Sequence, residues 1–260
     1  MKMRLLVAAS KIILMFPVLL GITAEAAEIK VLSAITMQPI LEDLGQKFER
    51  ATGHKLAFTL DNTRTVVKRV EDGETADVVL VPRQEIDSFV KNGKAVAGNV
   101  TAIASSRGFG VAVRKGAPKP DISSPAALRR TLLAAKSITY SASGGADAMH
   151  VAKVFERLGI ANEMRSKMVF SKTRPGRAGD MVAKGEAEIG VGTLEGFIPD
   201  ATAVEIVGPL PGDLQDTIVI AAVIMVGTKS AEASKALVDF LRTPEATEVI
   251  KANGKEPATP

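Results

Sequence analysis

The run Ala76-Asp77-Val78-Val79-Leu80-Val81 constrains the fold more than any other stretch of the chain. It is nearly continuous apolar and bounded by polar residues, the pattern of a parallel strand buried on both faces. The preceding sequence supplies its neighbours. Glu28 to Leu32 reads as a short strand that ends in Ser33-Ala34-Ile35-Thr36. Ile40, Leu41, Leu44 and Phe48 follow at helical spacing, with Pro39 in the first turn and Thr52-Gly53 as the stop. Lys55 to Leu60 is a second strand, and Val66 to Glu71 a short helix that ends at Asp72-Gly73. Strands alternating with helices in this way predict a parallel α/β sheet.

The pattern continues to the C-terminus. A helix is expected over Arg83 to Lys91, stopped by Asn92-Gly93, and a strand over Phe109 to Val113. Ser124-Pro125 starts a helix with proline at its first position. Ser137 to Tyr140 reads as a strand, Ser141 to Ala146 as a Gly/Ser-rich turn, and Asp147 to Leu158 as a helix stopped by Gly159. Met168 to Phe170 is a further expected strand, followed by the basic turn Lys172 to Arg177 and a helix over Ala178 to Lys184. Glu188 to Thr193 and the long apolar Asp216 to Val226 complete the strands, and Ala231 to Arg242 and Pro244 to Ala252 are closing helices. No linker separates the units, so strands must cross between them. The expected division is residues 27–107 plus 220–260 in one α/β domain and 108–219 in the other, with crossings near Phe109 and Ile218.

Residues 1–26 read as an address. Lys2 and Arg4 form a basic start, Ile12 to Ile22 an apolar core shorter than the ~20 residues that span a bilayer, and Ala24-Glu25-Ala26 a small-residue cleavage site. A cleaved secretory signal peptide fits these features, with an uncleaved anchor as the alternative. Its removal takes away Lys2, Arg4, Lys11 and Glu25, so the formal charge falls from +4 to +2. A chain so nearly balanced is no candidate for nucleic-acid binding. Cysteine is absent, which excludes disulfides, thiolate catalysis and Cys-ligated metals. Trp is absent and Tyr140 is the single tyrosine, which argues against an aromatic cage. His54 and His150 are too few to suggest a histidine metal site, and no cofactor is expected.

The chemistry lies in the turns. Leu60-Asp61-Asn62-Thr63-Arg64-Thr65 joins a strand to a helix, where free backbone N–H groups and the helix dipole favour an anion. Asn62 and Thr63 add neutral hydrogen-bonding groups, and Arg64 adds a fork suited to a carboxylate or phosphate. The same residues also make an ordinary N-cap with Arg64 in solvent. Ser33 to Thr36, Ser143 to Asp147 and Thr173 to Arg177 share this polar, small-residue character, and Thr193 is a fifth position of the kind. Ligands of open parallel sheets bind beyond the carboxyl ends of strands, so these turns form the rim of one expected site. Neither a Gly-x-Gly-x-x-Gly loop nor a Gly-Lys-Ser/Thr loop occurs, and there is no Gly-x-Ser-x-Gly elbow.

On these residues the chain resembles the periplasmic molybdate-binding proteins of ABC importers, in the type II solute-binding superfamily. The likeness runs over Ile29 to Leu56, Thr59 to Val81, Ile138 to Gly159 and Glu186 to Thr193, and Gly73-Glu74-Thr75-Ala76-Asp77 is similar to the family's Gly-x-x-Ala-Asp element. The resemblance implies two doubly wound α/β domains joined by hinge strands, a periplasmic monomer, and an inner-membrane ABC permease as partner. It places the oxyanion-binding serines of the family on Thr36 and Thr63, and its Pro-Ala-Gly turn on Gly145, Ala146 and Asp147. A late tyrosine of many members falls on Thr193. Arg64 stands where the family has a small hydroxyl residue, which argues for a small polycarboxylate in place of a compact tetrahedral oxyanion, with Arg174, Arg177 and Arg107 as further cations. Two functions follow: a binding protein for a small anion, an organic polycarboxylate or a molybdate-like oxyanion, held in a cleft between the domains, or an isomerase of a small tricarboxylate on the same scaffold, resembling aconitate isomerase. For the second, Arg64 would clamp a carboxylate and Asp61, Asp147 or His150 would be the base.

Overall fold

The computed structural model describes residues 26–141, 146–171 and 177–258. The expected signal peptide, apart from Ala26, and the expected site residues Gly145 and Arg174 lie outside the described residues. The chain opens β1 (Glu28–Ala34), α1 (Gln38–Thr52), β2 (Lys55–Asp61), α2 (Thr63–Glu71), β3 (Val78–Pro82), α3 (Arg83–Lys91), β4 (Thr101–Ser105). It continues β5 (Phe109–Arg114), α4 (Pro125–Ala134), β6 (Ile138–Thr139), α5 (Ala146–Arg157), α6 (Ala161–Arg165), α7 (Ala178–Ala183), β7 (Ile189–Thr193), β8 (Val204–Pro209). It closes with β9 (Val219–Ile224), α8 (Ala231–Phe240), α9 (Pro244–Ala252) and β10 (Glu256–Pro257).

Two sheets result, ordered β10-β4-β9-β3-β1-β2 and β6-β7-β5-β8. In the first, β1 pairs parallel with β2 and β3, as the alternation predicts, while β9 runs antiparallel to β3 and β4. The continuous apolar character of β3 has a direct cause. Val78 and Leu80 face a core shared with α1, α8 and α9, and Val79 and Val81 face the opposite core with α2 and α3. Each face removes apolar surface from water at about 25 cal/mol per Å². The second sheet is likewise covered on both faces, by a core that includes Leu128 of α4, Val151 of α5 and Met164 of α6, and by one with Val182 of α7 and Phe197.

Asp77 ties the first sheet together. Its Oδ2 accepts from the Lys30 N–H at 2.8 Å and its Oδ1 from the Thr228 hydroxyl, so the Gly-x-x-Ala-Asp element joins β1, the entry to β3 and the exit of β9. A backbone bond from the Ser106 N–H to the Ile218 carbonyl ties the two crossing segments to each other, and the Ser106 hydroxyl accepts from the Ile218 N–H at 2.9 Å. The strand expected over Met168 to Phe170 reduces to a single bridge between Ile138 and Met168. Its register is held by the Lys167 backbone and by Lys167 Nζ, which caps the carbonyls of Leu133 and Ala135 at the end of α4. The long strand expected over Asp216 to Val226 is shorter, because Asp216 to Ile218 belong to the crossing.

Candidate functional site

A cleft with a cavity volume of about 50 Å³ opens where ends of both sheets face one another. The first sheet contributes Thr36 after β1, Thr63 at the start of α2, Pro82 at the end of β3 and Ser106 after β4. The second contributes Thr193 at the end of β7, Ala146 and Asp147 at the start of α5, and Glu195. Ile218, Ile220 and Lys255 complete the lining.

The expected site residues divide on this geometry. Thr36, Thr63, Ala146 and Thr193 line the cleft; Thr63 is buried, Thr193 half-buried and Thr36 exposed. Asn62 caps α2, its Oδ1 accepting from the Thr65 N–H at 3.0 Å and its Nδ2 donating to Asp61 at 3.1 Å. That bond satisfies one of the backbone donors of the first turn. Arg64 is exposed on the first turn of α2 and is not among the lining residues. Arg177 pairs with Asp200 at 2.9 Å, and Arg107 with Glu256 at 3.0 Å.

The charged centre of the cleft is an ion pair. Lys255 Nζ lies 3.1 Å from Glu195 Oε1, with side chains only 11% and 7% exposed. The local sequence explains how the lysine arrives there. Helix α9 ends at Ala252-Asn253-Gly254, and Gly254 adopts φ +75°. Its N–H bonds to the Lys251 carbonyl at 2.9 Å while the Lys255 N–H bonds to that of Ile250 at 3.2 Å, a Schellman arrangement that turns the chain sharply. Glu256 then pairs with Ser105, which fixes Lys255 beside Ser106. A side chain on Gly254 would meet Ile198 Cδ1 at 2.7 Å and Glu195 Cβ at 3.0 Å, so the helix end packs directly on the segment that carries Glu195. Glu195 also accepts from the Arg107 N–H at 3.2 Å through its other oxygen.

Asp147 supplies a second carboxyl. It accepts from its own N–H, from the Ala148 N–H and from the Ser141 hydroxyl, within the first turn of α5. Burial nonetheless pushes its pKa above the ordinary carboxylate value, outweighing those bonds and the attraction of Lys255. His150 faces an adjoining hollow with Arg83, Lys153 and Asp216. Its Nε2 lies 3.1 Å from the Leu214 carbonyl, its ring stacks on Phe109 at 4.1 Å, and burial lowers its pKa, which favours the neutral imidazole. Among the described residues, no group of three or more His, Asp or Glu side chains could hold a metal ion.

A family model described as bacterial extracellular solute-binding protein matches residues 29–256. The chain belongs to that family. This solute-binding protein is 30% identical over 238 residues to the molybdate-binding protein ModA of Azotobacter vinelandii, covering 91% of this chain and 92% of that one. It is 29% identical over 233 residues to an aconitate isomerase of a Pseudomonas species, covering 87% of each. Its fold is that of the type II periplasmic binding proteins. The tungstate-binding protein of Desulfovibrio alaskensis superposes with a TM-score of 0.68 at 15% identity, over 90% of this chain and all of that one. Among the described residues no helix is long and apolar enough to cross a membrane.

Within this solute-binding protein the sequence reading overlooked Lys255, Glu195 and Ser106. Asn253-Gly254 after a periodic helix is a legible C-cap, and the lysine after it is thereby aimed. Glu195 gives no such signal, since it lies in a short 3₁₀ segment and meets its partner sixty positions away.

Proposed function

We propose that this protein captures a small organic polycarboxylate between its two α/β domains and delivers it to an inner-membrane permease. The observation that carries the reading is Lys255, a buried ammonium that pairs with Glu195 in a cleft also lined by Thr36, Thr63, Ser106 and Thr193. A buried cation beside neutral donors strengthens each contact to a carboxylate, because the surrounding medium screens it less than water does. The signal-like N-terminus and the family support export to the periplasm. Residues 27–107 with 220–260, and 108–219, are the two domains in this reading, closing as a monomer about the crossing at Ser106 and Ile218.

The test is a thermal-shift screen of di- and tricarboxylates beside molybdate, tungstate and sulfate. A ligand at a hundredfold excess over Kd stabilises by about 2.7 kcal/mol, which for a chain of this size raises Tm by roughly 5–10 °C. A shift with the tetrahedral oxyanions alone would replace the polycarboxylate by an oxyanion. The second reading is an isomerase of a small tricarboxylate. It is favoured by Asp147, a carboxyl with raised pKa at the cleft wall, and by the likeness to the Pseudomonas isomerase. Absence of cis/trans-aconitate interconversion by the purified chain would remove it.

A further inference from the structure

The cleft holds its cation already neutralised. Among the described lining residues the charged side chains are Asp147, Glu195 and Lys255, and the last two pair at 3.1 Å. An incoming anion therefore meets no net positive basin. It meets an ammonium that keeps donor capacity to spare and, beside it, a carboxylate that can only accept. Glu195 is fixed in that position by the Arg107 N–H, by Lys255 and by the close packing of Gly254 against its Cβ. Its 3₁₀ segment, Leu194–Asp200, continues directly from Thr193, so the carboxylate and a rim hydroxyl share one rigid turn.

We infer that Glu195 is a specificity-determining residue that selects small carboxylates bearing a hydroxyl, by accepting the hydroxyl's hydrogen bond while Lys255 holds a carboxylate. The inference rests on the polycarboxylate reading above. A fixed acceptor penalises every ligand that offers acceptors only, since lone pairs face lone pairs and like charges face each other. Fully deprotonated molybdate, tungstate and sulfate are such ligands. So is a carboxylate stripped of its hydroxyl. A ligand with one donor among several carboxylates satisfies both members of the pair at once, without separating them.

Matched pairs test this directly. Citrate and tricarballylate differ by one hydroxyl at equal carboxylate number, as do malate and succinate. Titration calorimetry of the purified chain at about pH 8, well above ordinary carboxylate pKa values, removes protonated carboxyls as donors. The hydroxylated member of at least one pair should bind about ten- to a hundredfold more tightly, the range for a hydrogen bond to a charged group. In Glu195→Gln, whose amide donates as well as accepts yet leaves a carbonyl for Lys255, the preference should fall below about threefold, and molybdate and sulfate should gain affinity. Equal affinity within both pairs, or a preference that survives Glu195→Gln, overturns the selectivity role and leaves the polycarboxylate reading standing. Binding of none of the four carboxylates overturns that reading and this inference with it. The unsubstituted protein alone decides the first point if the variant does not fold.

Discussion

Replacing Lys255 by methionine removes the charge and keeps most of the length, so the consequence can be worked from the surroundings of Glu195. That carboxylate is 7% exposed and keeps one bond, from the Arg107 N–H. Removing one member of a buried pair costs about 3–5 kcal/mol, because the other is left uncompensated. Taking the lower end, Tm should fall by roughly 6–12 °C for a chain of this size. The double variant Lys255→Met with Glu195→Leu should recover most of that loss, since an apolar pair of similar volume often replaces a buried ion pair at little cost. Affinity should behave differently. Both variants should bind polycarboxylate at least about thirtyfold more weakly, because the cation is gone in each. Urea titrations give the four stabilities of the cycle and calorimetry the affinities. Single losses below about 1 kcal/mol that add in the double variant would show a solvated surface pair, and the cleft would lose its electrostatic centre.

Three further outcomes follow from the same geometry. A carboxyl whose folded pKa lies above its unfolded value contributes stability that is present below the unfolded value, 3.8 for Asp147, and lost as pH rises through the folded one. Asp147→Asn should therefore match the parent near about pH 4 and exceed it in urea stability near neutral pH, provided its amide still accepts the first-turn N–H bonds. Gly254→Ala should cost about 1–3 kcal/mol from left-handed backbone strain, more if Glu195 cannot shift, and should weaken ligand binding measured by calorimetry by displacing Lys255. Arg64→Ala should alter affinity by less than about threefold if its exposed place on α2 persists with ligand bound, whereas a carboxylate clamp would make it about thirtyfold.

The fold was legible because burial on both faces leaves an unmistakable run of apolar residues in β3, and because Gly53, Gly93 and Gly159 mark helix ends where only a left-handed residue serves. Strands β4 and β8 were not, since Thr101–Ser105 and Val204–Pro209 are short, small-residue or edge segments whose pairing is decided by distant partners. The site was half legible for the same reason. Thr36 and Thr63 follow their strands directly, so local sequence places them at the rim. Lys255 and Glu195 acquire their meaning only when the C-terminal helix end is laid on the other sheet's 3₁₀ segment, a contact between residues far apart in the chain.

Asp147 bears on whether the cleft only binds. As an acceptor for the first-turn N–H groups, an asparagine would serve nearly as well and would carry no ionisation cost in a buried place. For an aspartate there desolvation raises the pKa, while its hydrogen bonds and the Lys255 charge act to lower it. For a protein that only holds an anion this is a net burden, since each ionised Asp147 adds a repulsive charge beside the ligand. For a proton transfer it is an asset, because efficiency rises as the pKa of the transferring group approaches the working pH. The two readings thus differ in what one substitution does to turnover. In a binding protein Asp147→Asn tightens anion affinity, and neither parent nor variant interconverts aconitate. In an isomerase it leaves binding intact or improved and removes turnover, so calorimetry and an aconitate interconversion assay on the same variant separate them.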